Sequence, residues 1–522
     1  MKTFNRHSVI CLSTLLLFLA STLTASAVIQ HEYVTHDGFM YEITYDSDYP
    51  YEGTATMIGR DCDMETNTYC PIQYEDWNTD SILVIPDKIG VFTLTAIDGG
   101  FGWMNDIKTV YIPATVTRIA RGAFSNSSLE EIYFFVEWGS RAPITFENNP
   151  SSEFPNQNGV FQGCKRLTTV IFDRPVNQLI DYMFMNCSKL ENIDFYNINS
   201  SLDTIGVCAF ANCTSLKNID IPNSIKVIDK GAFIKCSDLE DINIPNGITT
   251  IGDYAFADCL QLNNISLSPS LQSIGQASFL NCRSLTSINI PSGVTTIKDY
   301  TFYDCQNLTD INLNHVSTFG ERSFAGCNKL TSIDLTMAQS IGMRAFFGER
   351  VHCTLMDPPT LDIGGSSESW DWGLNLGSLK KIILGKEVSV INEQTFMGHI
   401  PDTITCMAPV PPTYGGNPGN EWIFSLEAYA TSVLCVPRVV VNNYREAYGW
   451  SQFANIEGIE ILGNGDANGD GQVSISDVTA LIDQLLGNQA ETFDPINADV
   501  NGDGSMDIKD VTVLIDMLLS GN

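Results

Sequence analysis

What this sequence has least of is positive charge. Only 28 of its 522 residues are Lys or Arg, against 61 Asp and Glu, for a formal net charge of −33. Nucleic-acid binders grip phosphate with clustered Lys and Arg, so nucleic acid is not an expected partner. Histidine is scarce as well: 6 in the chain, one of them, His7, close to the N-terminus. Beyond an N-terminal apolar run, no stretch approaches the ~20 apolar residues of a membrane-spanning helix. No G-x-S-x-G, H-E-x-x-H or phosphate-binding loop occurs, and no carboxylate pair stands out as a glycosidase acid and nucleophile. The close C-x2-C pairs that zinc requires are also missing. These absences predict a chain that is not an enzyme.

Lys2 and Arg6, the apolar run 9–19 and the small residues Ala25-Ser26-Ala27 together read as a secretory leader, 1–27. The mature protein is then exported and soluble. At this length one compact core is improbable, whereas a solenoid extends without limit by adding turns.

Self-similarity dominates the middle of the chain. The unit is clearest as Leu239-x-x-Ile242-x-Ile244-Pro245, then Ile248, Ile251, Ala255-Phe256 and Cys259. Leu216, Ile219, Ile221-Pro222, Ile225, Ile228, Ala232-Phe233 and Cys236 precede it by one period. Phe161, Phe184, Phe210, Phe233, Phe256, Phe279, Phe302, Phe324 and Phe346 mark the count, mostly 23 residues apart, with Phe124 before them and Phe396 in a degenerate late copy. The Leu-x-x-Ile-x-Ile run ends in period-two alternation, which suits a short strand with one buried face. Proline then removes an N–H and stops the ladder. A single turn of this size cannot bury its apolar positions alone, so neighbours must stack. A helical bundle fails on the recurrent proline and on the lack of 3.6-residue periodicity.

This pattern resembles the BspA-like leucine-rich-repeat family of bacterial surface and secreted proteins. The resemblance implies a solenoid of short parallel β-strands in turns of about 23 residues, and a role in adhesion or in binding a protein or glycan target on the repeat face. We place the solenoid at 97–400, between a β-rich N-terminal cap at 28–96 and a closing unit at 401–462. Tyr444, Tyr448, Trp450 and Phe453 look like aromatic anchors of that closing unit, and His315, His352 and His399 like satisfied histidines in or beside the turns.

Of the 15 cysteines, eight (Cys164, Cys187, Cys213, Cys236, Cys259, Cys282, Cys305 and Cys327) each follow the repeat phenylalanine by three residues. That spacing predicts a ladder of buried thiols, because parallel Cβ vectors disfavour the disulfide dihedral. Cys62 and Cys70 differ: they flank a polar loop, where a local disulfide and two free thiols are both open readings.

The strongest chemical signal lies at 463–522. Asp466-x-Asn468-x-Asp470-Gly471 opens a twelve-residue loop closing at Asp477, and Asp499-x-Asn501-x-Asp503-Gly504 opens another closing at Asp510. Alternating side-chain oxygens, a glycine at position 6 and backbone carbonyls at position 7 (Gln472 and Ser505) form the pattern of calcium loops, so two Ca2+ ions are expected. Each loop runs into an amphipathic helix, but neither has an entering helix, and position 12 is Asp instead of Glu. Loop-then-helix halves in tandem resemble a type I dockerin, a small all-α calcium-binding domain. That resemblance implies docking to a cohesin in an extracellular, often polysaccharide-degrading, complex. It also implies partner contacts at and beside loop positions 10 and 11: Ile475, Ser476 and Thr479 in one half, Ile508, Lys509 and Thr512 in the other. These are not the hydroxyl pairs of the best-known dockerins. Only Gly463-Asn464-Gly465 joins this module to the rest.

The expected function is a secreted, non-catalytic binding or adhesion scaffold, extracellular or at the cell surface. A carbohydrate-active or carbohydrate-binding component is one alternative, with Trp370 and Trp372 as candidate sugar-stacking residues. A purely structural surface protein is another.

Overall fold

The computed structural model describes residues 29–520, apart from 37–38, 47–48, 61, 64–67, 70–80, 100, 102–106, 135–142, 148–158, 174, 196–201, 349–350, 353–368, 371–378, 416–421, 461–462 and 489–491. The leader, Cys70 and Trp372 therefore lie outside the described residues, as do the side chains of Cys62, His352 and Trp370, so the Cys62–Cys70 reading falls outside them.

The repeat builds a turn of two short strands joined by tight turns. Its first strand, for example Asp241–Asn243, pairs in parallel with the same strand one turn away on each side. Its second, Thr250–Ile251, pairs in parallel with Val227–Ile228 and Ser273–Ile274. The alternation works as period-two geometry requires: Ile242 is buried while Asp241 and Asn243 face solvent. The resulting solenoid has about 13 turns.

Phenylalanine fills the corner of each turn. Thirteen rings, from Phe101 through Phe124, Phe161, Phe184, Phe210, Phe233, Phe256, Phe279, Phe302, Phe324, Phe346 and Phe396 to Phe424, form one continuous stack with centroids 4.4–5.5 Å apart. Phe346 and Phe396 touch at 5.5 Å although a long insertion separates them in sequence. Phe101 and Phe424 extend the stack beyond the positions the periodicity marks.

The eight repeat cysteines are buried free thiols. Each Sγ donates to the carbonyl of the phenylalanine one turn back plus three residues, as Cys259 does to Phe233 O at 3.2 Å and Cys187 to Phe161 O at 3.0 Å. Cys208 and Cys406 are buried free thiols too, and Cys435 is a half-buried one. The residue before the ladder cysteine adopts positive φ: Asn186, Asn212, Asp258, Asn281 and Asp304 lie at 58–64°, as does Lys235 at 61°. Asn and Asp tolerate this left-handed region better than other residues with a Cβ.

At the N-terminal end, strands Ile29–His36, Phe39–Asp46 and Tyr49–Arg60 form an antiparallel meander, and the third joins Phe92–Ile97 in parallel. Strand Ile82–Val84 already pairs in parallel with Thr109–Ile112, so the ladder begins within the cap. At the other end, 401–462 closes the stack by continuing it. Thr403–Cys406, Val433–Pro437 and Asn455–Ile459 extend in parallel the sheet of Ser332–Leu335 and Lys381–Leu384, with helices α1 (Leu426–Thr431) and α2 (Val441–Glu446) between these strands in sequence. Trp450 and Tyr444 are fully buried there: Trp450 Nε1 donates to Pro412 O at 2.8 Å and the Tyr444 hydroxyl to Ala408 O at 2.8 Å. His399 is a satisfied core histidine, with Nε2 at 2.6 Å from Phe346 O and Nδ1 accepting from Leu379 N.

Candidate functional site

The C-terminal module contains helices α3 (Ile475–Leu485), α4 (Pro495–Ala498) and α5 (Ile508–Ser520). Val478, Leu481, Val511 and Leu514 pack between α3 and α5 on Ala467, Ala498 and Val500, a small core separate from that of the solenoid. Ser474 caps α3 in a reciprocal capping box with Asp477, the last residue of the first loop.

Both loops are wound around their carboxylates. Asp477 accepts from Asn468 N at 3.0 Å and from Ser474 N at 2.8 Å; Asp510 accepts from Asn501 N at 3.3 Å and from Asp507 N at 3.0 Å. Asp466 accepts from the amides of Asp470 and Gly471, and Asp499 from Gly504 N at 2.9 Å. Asp470 and Asp503 in turn accept from the amides of Gln472 and Ser505. Gly471 and Gly504 take φ of 85° and 78°, the turn that glycine at position 6 permits.

Asp477, Asp499 and Asp510 are buried, with Lys509 the one cation in the module and well exposed. Burying carboxylates without a buried counter-charge is costly, and burial pushes the Asp499 carboxyl above its usual range. Asp499 Oδ1 is moreover a buried oxygen with no hydrogen-bond partner. Among the described residues no three His, Cys, Asp or Glu side chains converge closely enough to hold a metal by themselves. The donor set is nevertheless all oxygen, carboxylates with Asn side chains and backbone carbonyls, which is the chemistry of a hard divalent cation. The residues fit calcium, and the orphaned Asp499 oxygen is the clearest mark of it.

The apolar stripe of these helices divides in two. Its inner half is the module core, while Leu486 and Leu519 are exposed, along with Ile475 and Ile508 at the helix starts, 71% and 69% accessible. Thr479 and Thr512 return their hydroxyls to the carbonyls of Ile475 and Ile508 at 3.0 and 2.9 Å, so the two halves present matching surfaces. They differ at position 11: Ser476 accepts from Asn468 Nδ2, whereas Lys509 Nζ sits 3.4 Å from Asp503 and 3.3 Å from Asp507. Leu486 and Leu519 escaped the sequence reading as surface residues because heptad-like spacing alone does not say which part of a stripe finds a partner.

On the solenoid, the first strand of each turn leaves two side chains in solvent. From Asn192–Phe195 to Ser332–Leu335 one row reads Asn192, Asn218, Asp241, Asn264, Ser287, Asp310, Ser332. The other reads Asp194, Asp220, Asn243, Ser266, Asn289, Asn312, Asp334. All are exposed and none is basic. Glu240, Asn263, Thr286 and Thr309, which precede the strands, are exposed as well. Where the phenylalanine spacing lengthens to 26 residues, Asn192–Phe195 closes one sheet and Asn218–Asp220 opens the next. An open cleft of about 910 Å3, lined by Ile171, Glu191, Asp194, Asp220 and Pro222, lies at that break.

The model of the BspA type leucine rich repeat region matches residues 96–155, 150–262 and 249–356, which together span 96–356, or 261 of 522 residues. The model of the dockerin type I domain matches 464–519. Comparison with curated proteins gives no match. Among solved structures, a leucine-rich repeat protein from Bacteroides ovatus is similar at 20% identity, over 74% of this chain and 94% of that one, with a TM-score of 0.41. A leucine rich cell surface protein from Faecalibacterium prausnitzii shares 20% identity over 69% of this chain and 90% of its own, TM-score 0.40. The pneumococcal vaccine antigen PcpA shares 15% over 82% and 97%, TM-score 0.44. The dockerin brings calcium binding and a cohesin partner with it, and proteins of both kinds are typically extracellular or at the cell surface. With its repeats and its duplicated loop-helix module matched in turn, the chain belongs to the BspA-type leucine-rich-repeat family and carries a type I dockerin domain at its C-terminal end.

Proposed function

We propose that this protein is a secreted, non-catalytic scaffold that presents a binding face on its repeats and is attached to an extracellular complex by its dockerin. One observation carries the reading: a stack of turns with two rows of exposed short polar side chains ends in a module with exposed apolar side chains of its own. Exposed apolar side chains grouped on a small domain mark a protein-binding surface.

In this reading Asp466, Asn468, Asp470, Gln472 and Asp477 hold one calcium ion, and Asp499, Asn501, Asp503, Ser505 and Asp510 hold a second. The ions offset a segment, 466–519, that carries eleven acidic residues and one lysine. They fix the loops so that Ile475, Ser476 and Thr479 or Ile508, Lys509 and Thr512 meet a cohesin. The acidic and amide rows from Asn192 to Asp334 then face an extended protein or glycan.

The test is cohesin binding by the full chain. We expect calorimetry to find two calcium ions, chelation to cost much of the α3 and α5 helix signal, and Ile475→Asp with Ile508→Asp to abolish cohesin binding while calcium still binds. Retention of cohesin binding in the double variant, or in chelator, would refute the attachment role. Hydrolysis of a glycan by the purified chain would refute the non-catalytic one.

A further inference from the structure

The two calcium loops match in sequence but not in surroundings. In the first, Gly469 and Gly471 are exposed, with nothing within 4 Å of where a Cβ would stand. In the second, Gly502 is buried, and the methylenes of Arg438 fill the space over Gly504. Asp466, which opens the first loop, is half-buried, whereas Asp499, which opens the second, is 3% exposed. What covers the second loop belongs to the last turns of the solenoid.

The contact has a defined path. Arg438 begins the 3-10 turn Arg438–Val440 that follows strand Val433–Pro437, and Arg438 Nη1 is fixed by Glu460 Oε1 at 3.0 Å. Helix α4 lies against this same turn. The residue that ends α4 is Asp499, the first oxygen donor of the second loop. The joint is tied down as well: Gly463 N donates to Asp499 O at 2.9 Å and Gly465 N to Asn497 O at 3.0 Å. Gly463-Asn464-Gly465 is thus bound to α4, not a free hinge.

We propose that the second calcium loop is a calcium-dependent clamp holding the dockerin against the end of the solenoid, while the first loop serves the dockerin alone. This rests on the calcium reading of the loops. A divalent cation satisfies the buried, unpartnered Asp499 Oδ1 and fixes the residue that terminates α4. With α4 fixed, its face against Arg438–Val440 is fixed, and the Arg438 methylenes close over Gly504. Without the cation, the buried Asp499 oxygen lacks a partner and must reach water, which opens the same contact. A cohesin bound to α3 or α5 is then held at a set angle to the repeats with calcium, and on a loose joint without it.

Hydrogen exchange on the full chain, with calorimetry in parallel, tests this. Calcium should slow exchange of the amides of 438–446 by about tenfold or more. Asp466→Ala should keep that protection, Asp499→Ala should lose it, and Arg438→Ser should lose it while still binding two ions. Arg438→Ser leaves every loop ligand in place, so it answers the question even if Asp499→Ala fails to fold. Calcium bound without any change at 438–446, or equal loss from both loop variants, overturns the clamp and leaves the calcium reading standing. Absence of calcium binding overturns both.

Discussion

Replacing one ring in the middle of the phenylalanine stack tests whether that stack holds the solenoid together. Phe256 is fully buried, with Phe233 at 5.4 Å on one side and Phe279 at 5.5 Å on the other. Phe256→Ala removes the ring and leaves a cavity that neighbouring turns cannot fill, because hydrogen bonds fix their spacing. The expected cost is that of an aromatic deletion in a core, about 3–5 kcal/mol. Phe256→Leu retains most of the volume and removes only the two stacked faces. At about 0.5–1.5 kcal/mol per aromatic pair it should cost about 1–3 kcal/mol. Stacked repeats couple only to their neighbours, so a weak turn can also divide the unfolding transition. Urea titration followed by circular dichroism would report both effects: a lower midpoint for either variant, and for Phe256→Ala a shallower slope as the flanking blocks separate. A loss below about 1 kcal/mol for Phe256→Ala would refute the idea that the stack is the main cohesive element. Equal losses for Ala and Leu would show that ring pairing, lost in both, and not cavity volume, matters.

The thiol ladder gives a pH-dependent prediction. Burial pushes the Cys236 thiol up to about 12, so between the ordinary thiol value of 9.0 and 12 the unfolded chain ionises it while the folded chain does not. Its contribution is fully present below pH 9 and is lost as pH rises towards 12, so the cost of Cys236→Ala should shrink by about 1 kcal/mol between pH 8 and pH 10. A pH-independent cost would contradict a buried neutral thiol. Lys235 supplies another. It sits at φ 61° between Asn212, which donates to Asn186 Oδ1 at 2.8 Å, and Asp258, which accepts from Asn281 Nδ2 at 2.7 Å. Lys235→Asn should raise stability by about 0.5–1 kcal/mol, seen as a higher Tm, because Asn adopts the left-handed region more readily. An unchanged or lower Tm would count against strain at this corner.

The turns were legible because a solenoid repeats the same local problem. Leu239, Ile242, Ile244, Phe256 and Cys259 are all buried at the positions their spacing marks, and Pro245 follows the strand as expected. The loop-helix module was legible because the duplicated Asp-x-Asn-x-Asp-Gly pattern fixes residue types at single positions. Legibility failed where a contact joins distant segments. Phe424 was missed because no repeat frames it, yet it continues the stack on Phe396 at 5.3 Å. The corner residues with positive φ were missed because Asn, Asp, Gly and Lys share no single letter there. Arg438 over Gly504 could not be read at all, since nothing in either segment names the other.

The same contrast explains how the two parts of the chain divide variation between them. In the stack, specificity for the fold lies in inward residues and in backbone pairing, so the outward row can read Asp241, Asn264, Ser287 and Asp310 without disturbing the register. Those positions are free to vary without cost to the stack. In the dockerin the oxygen donors are also the residues that wind the loop and cap the helix, as Asp477 does for Asn468 and Ser474. Changing one removes a loop carboxylate and the turn it holds together. The parts of that module left free to vary are the exposed ends of α3 and α5, where Ser476 and Lys509 already differ. Charge follows the same division: Lys509 neutralises part of the second loop from within its own surface, so substitution there should alter partner preference before it alters the fold.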